Sequence, residues 1–197
     1  MAEIQTAAVR PKSRARIFSL LIAGGGLILL GAVALAYLFW TQVEASSLPG
    51  GFESAIPIPV DYRAPRLELK DIDGNPASLA DYAGQVVLVN NWAFWCPPCR
   101  AELPILEHYY QDHRAKGFTI IGIESGGSAE TVGQYIEGYK LTYPIWLDPR
   151  IKAVAAFGNR SLPNSYVIDG DGQVRLAWTG PIGREMLENY VTPLLEE

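Results

Sequence analysis

Apolar residues are concentrated first in one long run near the N-terminus. Ile17–Trp40 contains 24 consecutive residues without a charged side chain, and four basic residues precede it: Arg10, Lys12, Arg14 and Arg16. At ~1.5 Å per residue this run would form a helix of about 36 Å, which is long enough to cross a bilayer. By the positive-inside rule, residues 1–16 form a cytoplasmic tail and the chain after Trp40 is exported. We therefore predict a single transmembrane helix over residues 17–40.

A cleaved signal peptide is the alternative interpretation of the same run. Val43–Ala45 loosely resembles a small-residue cleavage site. The apolar region of a signal peptide usually has about 7–15 residues, however, and this run is considerably longer. The length therefore favours an uncleaved anchor in the inner (cytoplasmic) membrane.

The segment after the apolar run has the composition of a linker. Thr41–Pro65 contains Pro49-Gly50-Gly51 and three further prolines, and its apolar residues follow no clear period. Prolines and glycines at this density interrupt helices and strands. We predict an extracytoplasmic linker over residues 41–63 and a folded domain over residues 64–197.

Short apolar runs and helical patterns alternate through the rest of the chain. Strands are predicted at Arg66–Leu69, Ser78–Leu79, Val86–Trp92, Phe118–Glu124, Tyr143–Leu147, Ser165–Ile168 and Val174–Trp178. Helices are predicted at Pro97–Lys116, Ala129–Tyr139, Ile151–Phe157 and Glu185–Leu195. This order is typical of an α/β sandwich. Asp71–Asn75 and Asp169–Gly172 are predicted to be hairpin turns, because neither has the full spacing of a calcium-binding loop.

Charge narrows the choice of partners. Four of the 16 basic residues and one of the 21 acidic residues lie before Thr41, which leaves 12 basic and 20 acidic residues in the remainder, a net charge of −8. Binding of nucleic acid depends on basic residues that contact phosphates. An acidic exported domain is therefore not expected to bind nucleic acid.

The only two cysteines, Cys96 and Cys99, lie between a predicted strand and a predicted helix. A disulfide between them would close a very small loop, so it would stabilise the fold little. The first thiol lies at a helix N-terminus, where the helix dipole favours a thiolate. The spacing therefore indicates a redox couple.

A zinc site is the main alternative for a Cys-x-x-Cys pair, and it needs two more ligands. The only histidines, His108 and His113, are five residues apart on one predicted helix, so they point ~140° apart. We interpret both as surface residues. No third soft ligand for copper is evident nearby. We predict neither a metal nor another cofactor.

The surrounding sequence matches a known family. Val87–Pro104, VLVNNWAFWCPPCRAELP, strongly resembles the membrane-anchored TlpA-like thioredoxins, which include ResA-like and CcmG-like proteins. The resemblance covers roughly residues 64–197 and includes Leu162–Asp169, which is similar to the family's cis-proline loop and the following strand. It implies a thioredoxin-like α/β fold, with a central mixed sheet flanked by helices, and thiol–disulfide oxidoreductase activity.

The resemblance also implies roles for individual residues. Cys96 would be the exposed nucleophile, and Cys99 would resolve the mixed disulfide. The expected substrate-binding residues are Trp95, Pro97, Leu162 and Pro163. Pro163 would form a cis peptide bond and present the backbone of Leu162 to the substrate. An ordinary core aromatic is the alternative for Trp95.

Proton transfer needs a further group. Ordinary thioredoxins carry a buried carboxylate six residues before the first cysteine, and this chain has Asn90 there, as the TlpA-like group does. An amide cannot take up that proton, so Glu102, one turn after Cys99, becomes the candidate base. A solvated helix glutamate is the alternative. Asn91 and the loop Gly158–Ser161 depart from the family pattern.

The predicted function is reduction of disulfides in exported proteins by a periplasmic domain, for example during cytochrome c maturation or copper-site assembly. Electrons would come from a membrane thiol donor. A disulfide-forming oxidase and a non-catalytic metal- or partner-binding module remain open alternatives. A peroxidase is less favoured, because the cysteines lack a peroxidatic-loop context. The sequence leaves the substrate, the donor and the oligomeric state open.

Overall fold

The computed structural model describes residues 31–35 and 54–196. Residues 31–35 are helical, and no helix within the described parts is long and apolar enough to cross a membrane. The predicted cytoplasmic tail, most of the predicted transmembrane helix and most of the predicted linker lie outside the described residues.

Eight strands and four α-helices form the domain. The strands are β1 (Ile58–Arg63), β2 (Glu68–Asp71), β3 (Pro76–Ser78), β4 (Val86–Trp92), β5 (Phe118–Glu124), β6 (Ile145–Leu147), β7 (Asn164–Ile168) and β8 (Gln173–Thr179). The helices are α1 (Pro97–His113), α2 (Ala129–Tyr139), α3 (Lys152–Phe157) and α4 (Arg184–Tyr190), with 3₁₀ turns at Leu79–Tyr82, Arg114–Lys116 and Thr192–Leu195.

The predicted bounds of β4, β5 and α2 are confirmed residue for residue. Two predicted helices end earlier than expected. α1 stops at His113 and continues as a 3₁₀ turn up to Gly117, which adopts φ +74°. α4 stops at Tyr190, shortly before Pro193, which cannot donate a helical hydrogen bond.

All eight strands form one mixed sheet in the order β1-β8-β7-β4-β5-β6-β2-β3. β4 is central: it runs parallel to β5 and antiparallel to β7. The parallel pair places the C-terminal ends of β4 and β5 at the same edge of the sheet, with Trp92 opposite Glu124. The predicted α/β class with a central mixed sheet is confirmed.

Successive side chains of β4 point to opposite faces of the sheet, so the core consists of two layers, one on each face. Leu88 and Trp92 pack on one face together with both cysteines and residues of α1, α2 and α4. Val87 and Val89 pack on the other face, which α3 and the Leu79–Tyr82 turn cover. The redox pair therefore belongs to a well-packed core layer, and the packed strands and helices around it hold it in place.

The predicted linker boundary was wrong. Residues 58–63 form β1, which pairs antiparallel with β8, and Ser54 and Ala55 already contact the domain. β1 is an edge strand, and Val60 alone among its residues is half-buried. Because β1 is exposed in this way, its sequence has no regular apolar pattern. The folded domain therefore begins by Ser54, not at residue 64.

Both acidic turns are hairpin turns, as predicted. Asp71 Oδ1 accepts hydrogen bonds from the backbone N–H groups of Asp73 and Asn75. Asp169 Oδ1 does the same for Asp171 and Gln173. The carboxylates therefore stabilise the turns themselves.

Candidate active site

β4 and α1 position the two cysteines. Cys96 is the N-cap of α1 and Pro97 is its first residue, a position where a proline loses no helical hydrogen bond. Cys96 and Cys99 form a disulfide, with their Cα atoms 5.3 Å apart. The backbone N–H of Cys99 donates to Sγ of Cys96 at 3.3 Å. Cys96 therefore lies at the helix N-terminus, as the sequence predicted.

The disulfide lies just below the surface. Cys96 is 4% exposed and Cys99 is fully buried, whereas Trp95 is 61% exposed. The sequence predicted an exposed nucleophile, but in the disulfide form Cys96 packs with the core and is almost completely buried. The core alternative for Trp95 is excluded, and its exposed ring lies next to the pair in sequence.

Glu102 is buried, which excludes the solvated alternative. Oε1 accepts a hydrogen bond of 2.7 Å from Nδ2 of Asn90, and Oε2 accepts one of 2.9 Å from the backbone N–H of Ile182. Burial raises the pKa of Glu102 to about 8, although the two hydrogen bonds favour the ionised form. Asn90 and Glu102, both singled out by sequence, are thus in direct contact, one helical turn beyond Cys99.

The loop before β7 carries the other predicted site residues. The Leu162–Pro163 peptide bond is cis, as predicted. Gly180 donates its backbone N–H to the carbonyl of Pro163 at 2.9 Å, which ties this loop to the end of β8. Within residues 54–196 the backbone N–H and C=O of Leu162 have no hydrogen-bond partner. An extended peptide could therefore pair with the backbone of Leu162.

Comparison with known proteins agrees with this geometry. The sequence model of the AhpC/TSA family matches residues 60–177, which is more than half of the chain. The chain belongs to this family. The family match begins inside β1, in agreement with the corrected start of the domain.

Relatives of this chain are named for the activity that the cysteine pair indicates. The thiol-disulfide oxidoreductase ResA of Halalkalibacterium halodurans is 29% identical over 161 residues, which cover 81% of this chain and 86% of the relative. ResA of Bacillus cereus is 30% identical over 142 residues, which cover 72% and 82%. This AhpC/TSA member is therefore a ResA-like thiol–disulfide oxidoreductase, and the predicted enzyme class is confirmed.

A solved structure supports the fold. A thiol:disulfide interchange protein of the thioredoxin family from Chlorobium tepidum TLS has a TM-score of 0.62 and 29% identity, and the match covers 70% of this chain and 99% of that one. The thioredoxin-like fold expected from the sequence is thereby confirmed.

Glu124, at the end of β5, is a buried residue of this AhpC/TSA member that sequence reasoning missed. Its Oε1 accepts from the backbone N–H of Phe94 at 3.2 Å, and its Oε2 accepts from that of Gly127 at 2.7 Å. Burial raises the pKa of Glu124 against these two hydrogen bonds. An acidic residue that ends an otherwise apolar strand was the available signal. Glu124 fixes the loop that leads into Cys96.

His108 is exposed as predicted, but the prediction for His113 was wrong. His113 is buried, its ring centroid lies 4.3 Å from that of Tyr109, and its Nε2 lies 3.7 Å from Oε2 of Glu188. Tyr109 of α1 and Glu188 of α4 therefore lie against it. Within the described ranges, 31–35 and 54–196, no three His, Cys, Asp or Glu side chains are arranged to hold a metal ion.

Proposed function

We propose that this protein is a membrane-anchored, extracytoplasmic thiol–disulfide reductase that uses Cys96 as nucleophile, Cys99 as resolving thiol and Glu102 as proton acceptor. The observation that carries the proposal is the buried Glu102 carboxyl group, held by Asn90 and Ile182 one turn beyond Cys99. A carboxyl group with a pKa of about 8 can exchange a proton with a thiol near neutral pH.

The proposed reaction has two exchange steps. The Cys96 thiolate attacks one sulfur of a partner disulfide, a mixed disulfide forms, and the partner's other sulfur leaves as a thiolate. Glu102 then takes the proton of Cys99, whose thiolate attacks Sγ of Cys96. The Cys96–Cys99 disulfide forms, and the partner leaves with both of its cysteines reduced.

Asn90 suits both protonation states of Glu102. Its Nδ2 donates to Glu102 Oε1, while its Oδ1 is buried without a hydrogen-bond partner among the described residues. Rotation of the amide by 180° would let Oδ1 accept the proton of a neutral Glu102. One side chain can therefore bind the carboxyl group before and after proton transfer.

The surroundings of Cys96 favour the reducing direction. Oxidants of this fold depend on a strongly stabilised thiolate in the reduced state. Pro97 and Pro98 have no N–H, so among residues 54–196 only the backbone N–H of Cys99 is directed at Sγ of Cys96. With one donor the reduced thiolate is stabilised weakly, and the pair gives up its electrons more readily.

The proposed substrate surface consists of Trp95, Pro97 and the backbone of Leu162, whereas Pro163, which was also predicted to bind substrate, is buried. Trp95 and Pro97 are exposed beside the disulfide, and the Leu162 backbone is available for strand-like pairing. An aromatic ring and a free backbone segment together suit an extended, disulfide-bearing protein segment. Apocytochrome c and the cysteines of copper sites are the substrate classes that the family resemblance suggests.

The proposed location rests on the N-terminal sequence. Residues 1–16 would be cytoplasmic, residues 17–40 would cross the inner membrane, and a linker from Thr41 would reach the domain before Ser54. The redox domain would then face the periplasm and receive electrons from a membrane thiol donor. A reporter enzyme that is active only outside the cytoplasm, fused after Glu197, should be active. Activity of a second reporter enzyme, one that works only in the cytoplasm and is fused at the same position, would contradict this topology.

Turnover with a protein disulfide tests the chemistry. The full-length protein in detergent, supplied with a dithiol, should reduce the disulfides of insulin. Cys96→Ser should abolish turnover, whereas Cys99→Ser should accumulate a mixed disulfide that a non-reducing gel resolves. Full activity in Cys96→Ser would contradict the proposal.

A further inference from the structure

A buried pair of amides joins the strand before the redox motif to the strand after the cis-proline. Asn91 on β4 and Asn164 on β7 are register partners, and neither exposes any surface. Nδ2 of Asn91 donates to Oδ1 of Asn164 at 2.7 Å. Asn91 is one of the positions at which this chain departs from the pattern of TlpA-like thioredoxins.

Asn164 extends this link into the loop before it. Its Nδ2 donates to the backbone carbonyl of Ser161 at 2.6 Å and to that of Asn159 at 3.5 Å. Asn159 Oδ1 in turn accepts from the backbone N–H of Ser161 at 3.0 Å, and its Nδ2 donates to Oγ1 of Thr179 at 2.8 Å. These bonds hold the loop Asn159–Pro163 on both sides.

The direction of the hydrogen bonds makes the two amides depend on each other. The NH₂ group of Asn164 is used by the loop carbonyls, so its Oδ1 must accept from another donor. Asn91 supplies that donor, and the core residues on the same face of the sheet, such as Val89 and Ile121, are apolar. A buried acceptor without a partner is costly, so removal of the Asn91 amide favours rearrangement of Asn164 and with it the loop.

Two adjacent residues of β4 thus contact the two parts of the candidate site, namely Glu102 near the cysteines and the loop Asn159–Pro163. Asn90 faces the layer of α1 and binds Glu102, whereas Asn91 faces the opposite layer and binds Asn164. The same strand leads directly into Cys96. Its register therefore determines where the loop lies relative to the disulfide.

We propose that Asn91 and Asn164 are positioning residues that fix the loop Asn159–Pro163 against Cys96 and so determine affinity for protein disulfides. The inference rests on the proposed function insofar as Leu162 binds substrate. Small disulfides, which reach Cys96 without pairing to Leu162, do not depend on the loop.

The test compares two substrates with the full-length protein in detergent. Asn91→Leu keeps the approximate volume and removes the donor to Asn164. We expect the KM for insulin to rise about tenfold, the approximate value of one buried hydrogen bond, with kcat retained. Reduction of hydroxyethyl disulfide should be unchanged. Val89→Ala, on the same face of β4, is the control for loss of stability and should leave both KM values unchanged.

Hydrogen exchange provides a readout that does not depend on the direction of the reaction. The backbone amide of Ser161, which donates to Oδ1 of Asn159, should exchange faster in Asn91→Leu than in Val89→Ala. If Asn91→Leu does not fold, Asn159→Ala opens the same network from its more exposed end and should raise the KM for insulin in the same way. In the double variant Asn91→Leu/Asn164→Leu, the effect should be no larger than that of Asn164→Leu alone, because Asn91 contacts the loop through Asn164.

Unchanged exchange at Ser161 would overturn the positioning role. Faster exchange with an unchanged KM for insulin would overturn the link to substrate binding, as would equal losses with both disulfides. A wild-type protein that oxidises insulin thiols instead of reducing its disulfides would contradict only the proposed function. The same KM comparison would then be made in the oxidising direction.

Discussion

Nδ2 of Asn90 lies 2.7 Å from Oε1 of Glu102, so the residue six positions before Cys96 contacts the residue three positions after Cys99. Glu102 also accepts from the backbone N–H of Ile182, 80 residues further along the chain. The carboxyl group is thus fixed from β4 and from the loop before α4. The position of the carboxyl group therefore depends on contacts from distant parts of the domain, although Glu102 is close to the two cysteines in sequence.

Replacement of Glu102 by Gln should slow insulin reduction about a hundredfold, the lower range of a general base's contribution. Because the pKa of Glu102 is about 8, the wild-type rate should rise as the pH approaches 8, and the variant should lack this rise. The measurement is the pH–rate profile of both proteins. Glu107→Gln is the matched control, because Glu107 is also buried on α1 but binds Thr142. Superimposable profiles of wild type and Glu102→Gln would leave the proton acceptor unidentified.

The same residue should make stability depend on pH. Its pKa is raised from 4.5 to about 8 on folding, so the folded state keeps a proton that the unfolded state has lost. The stability contributed by the neutral, buried carboxyl group is fully present below pH 4.5 and is lost as the pH rises toward 8. Relative to wild type, oxidised Glu102→Gln should therefore gain stability between pH 5 and 8. Urea unfolding across this range measures the difference, and a constant difference would contradict the assigned pKa.

The start of the domain can be tested by truncation. A fragment of residues 64–197 lacks β1 and also Ser54 and Ala55, which bind Gly183 and Pro181 on either side of Ile182. We expect this fragment to be clearly less stable in urea than a fragment of residues 54–197. Its Glu102 should lose the fixed donor from Ile182, and its activity should fall. Equal midpoints for the two fragments would show that β1 is dispensable.

Gly127 should tolerate no side chain, because a Cβ there would lie 2.6 Å from Oε2 of Glu124 and 2.7 Å from a methyl carbon of Val132. Gly127→Ala should cost about 1–3 kcal/mol, the usual range for overpacking. The control is Gly133→Ala in α2, where a Cβ meets no atom within 4 Å and a helix should gain about 0.5–1 kcal/mol. The measurement is the free energy of unfolding. Similar values for the two variants would mean that Glu124 moves aside freely.

Structural features that follow from a local sequence pattern, or from a close resemblance to a known family, could be predicted from the sequence. β4 and β5 are almost wholly buried, so their apolar runs stand out, and the position of the disulfide follows from the motif between β4 and α1. β1 was missed because an edge strand with one half-buried residue and a proline has no such pattern. The burial of Glu102 and the pairing of Asn91 with Asn164 depend on contacts 80 and 73 residues apart in the chain. No local signal reports contacts at that distance.

The reduction potential of the Cys96–Cys99 pair tests the central claim most directly. The full-length protein would be equilibrated against defined ratios of reduced and oxidised dithiothreitol, and the fraction of disulfide would be read by thiol alkylation. A reductase with one backbone donor at Cys96 should have a potential near that of thioredoxin, about −270 mV. A potential near that of the oxidant DsbA, about −120 mV, would contradict the account and assign the protein to disulfide formation.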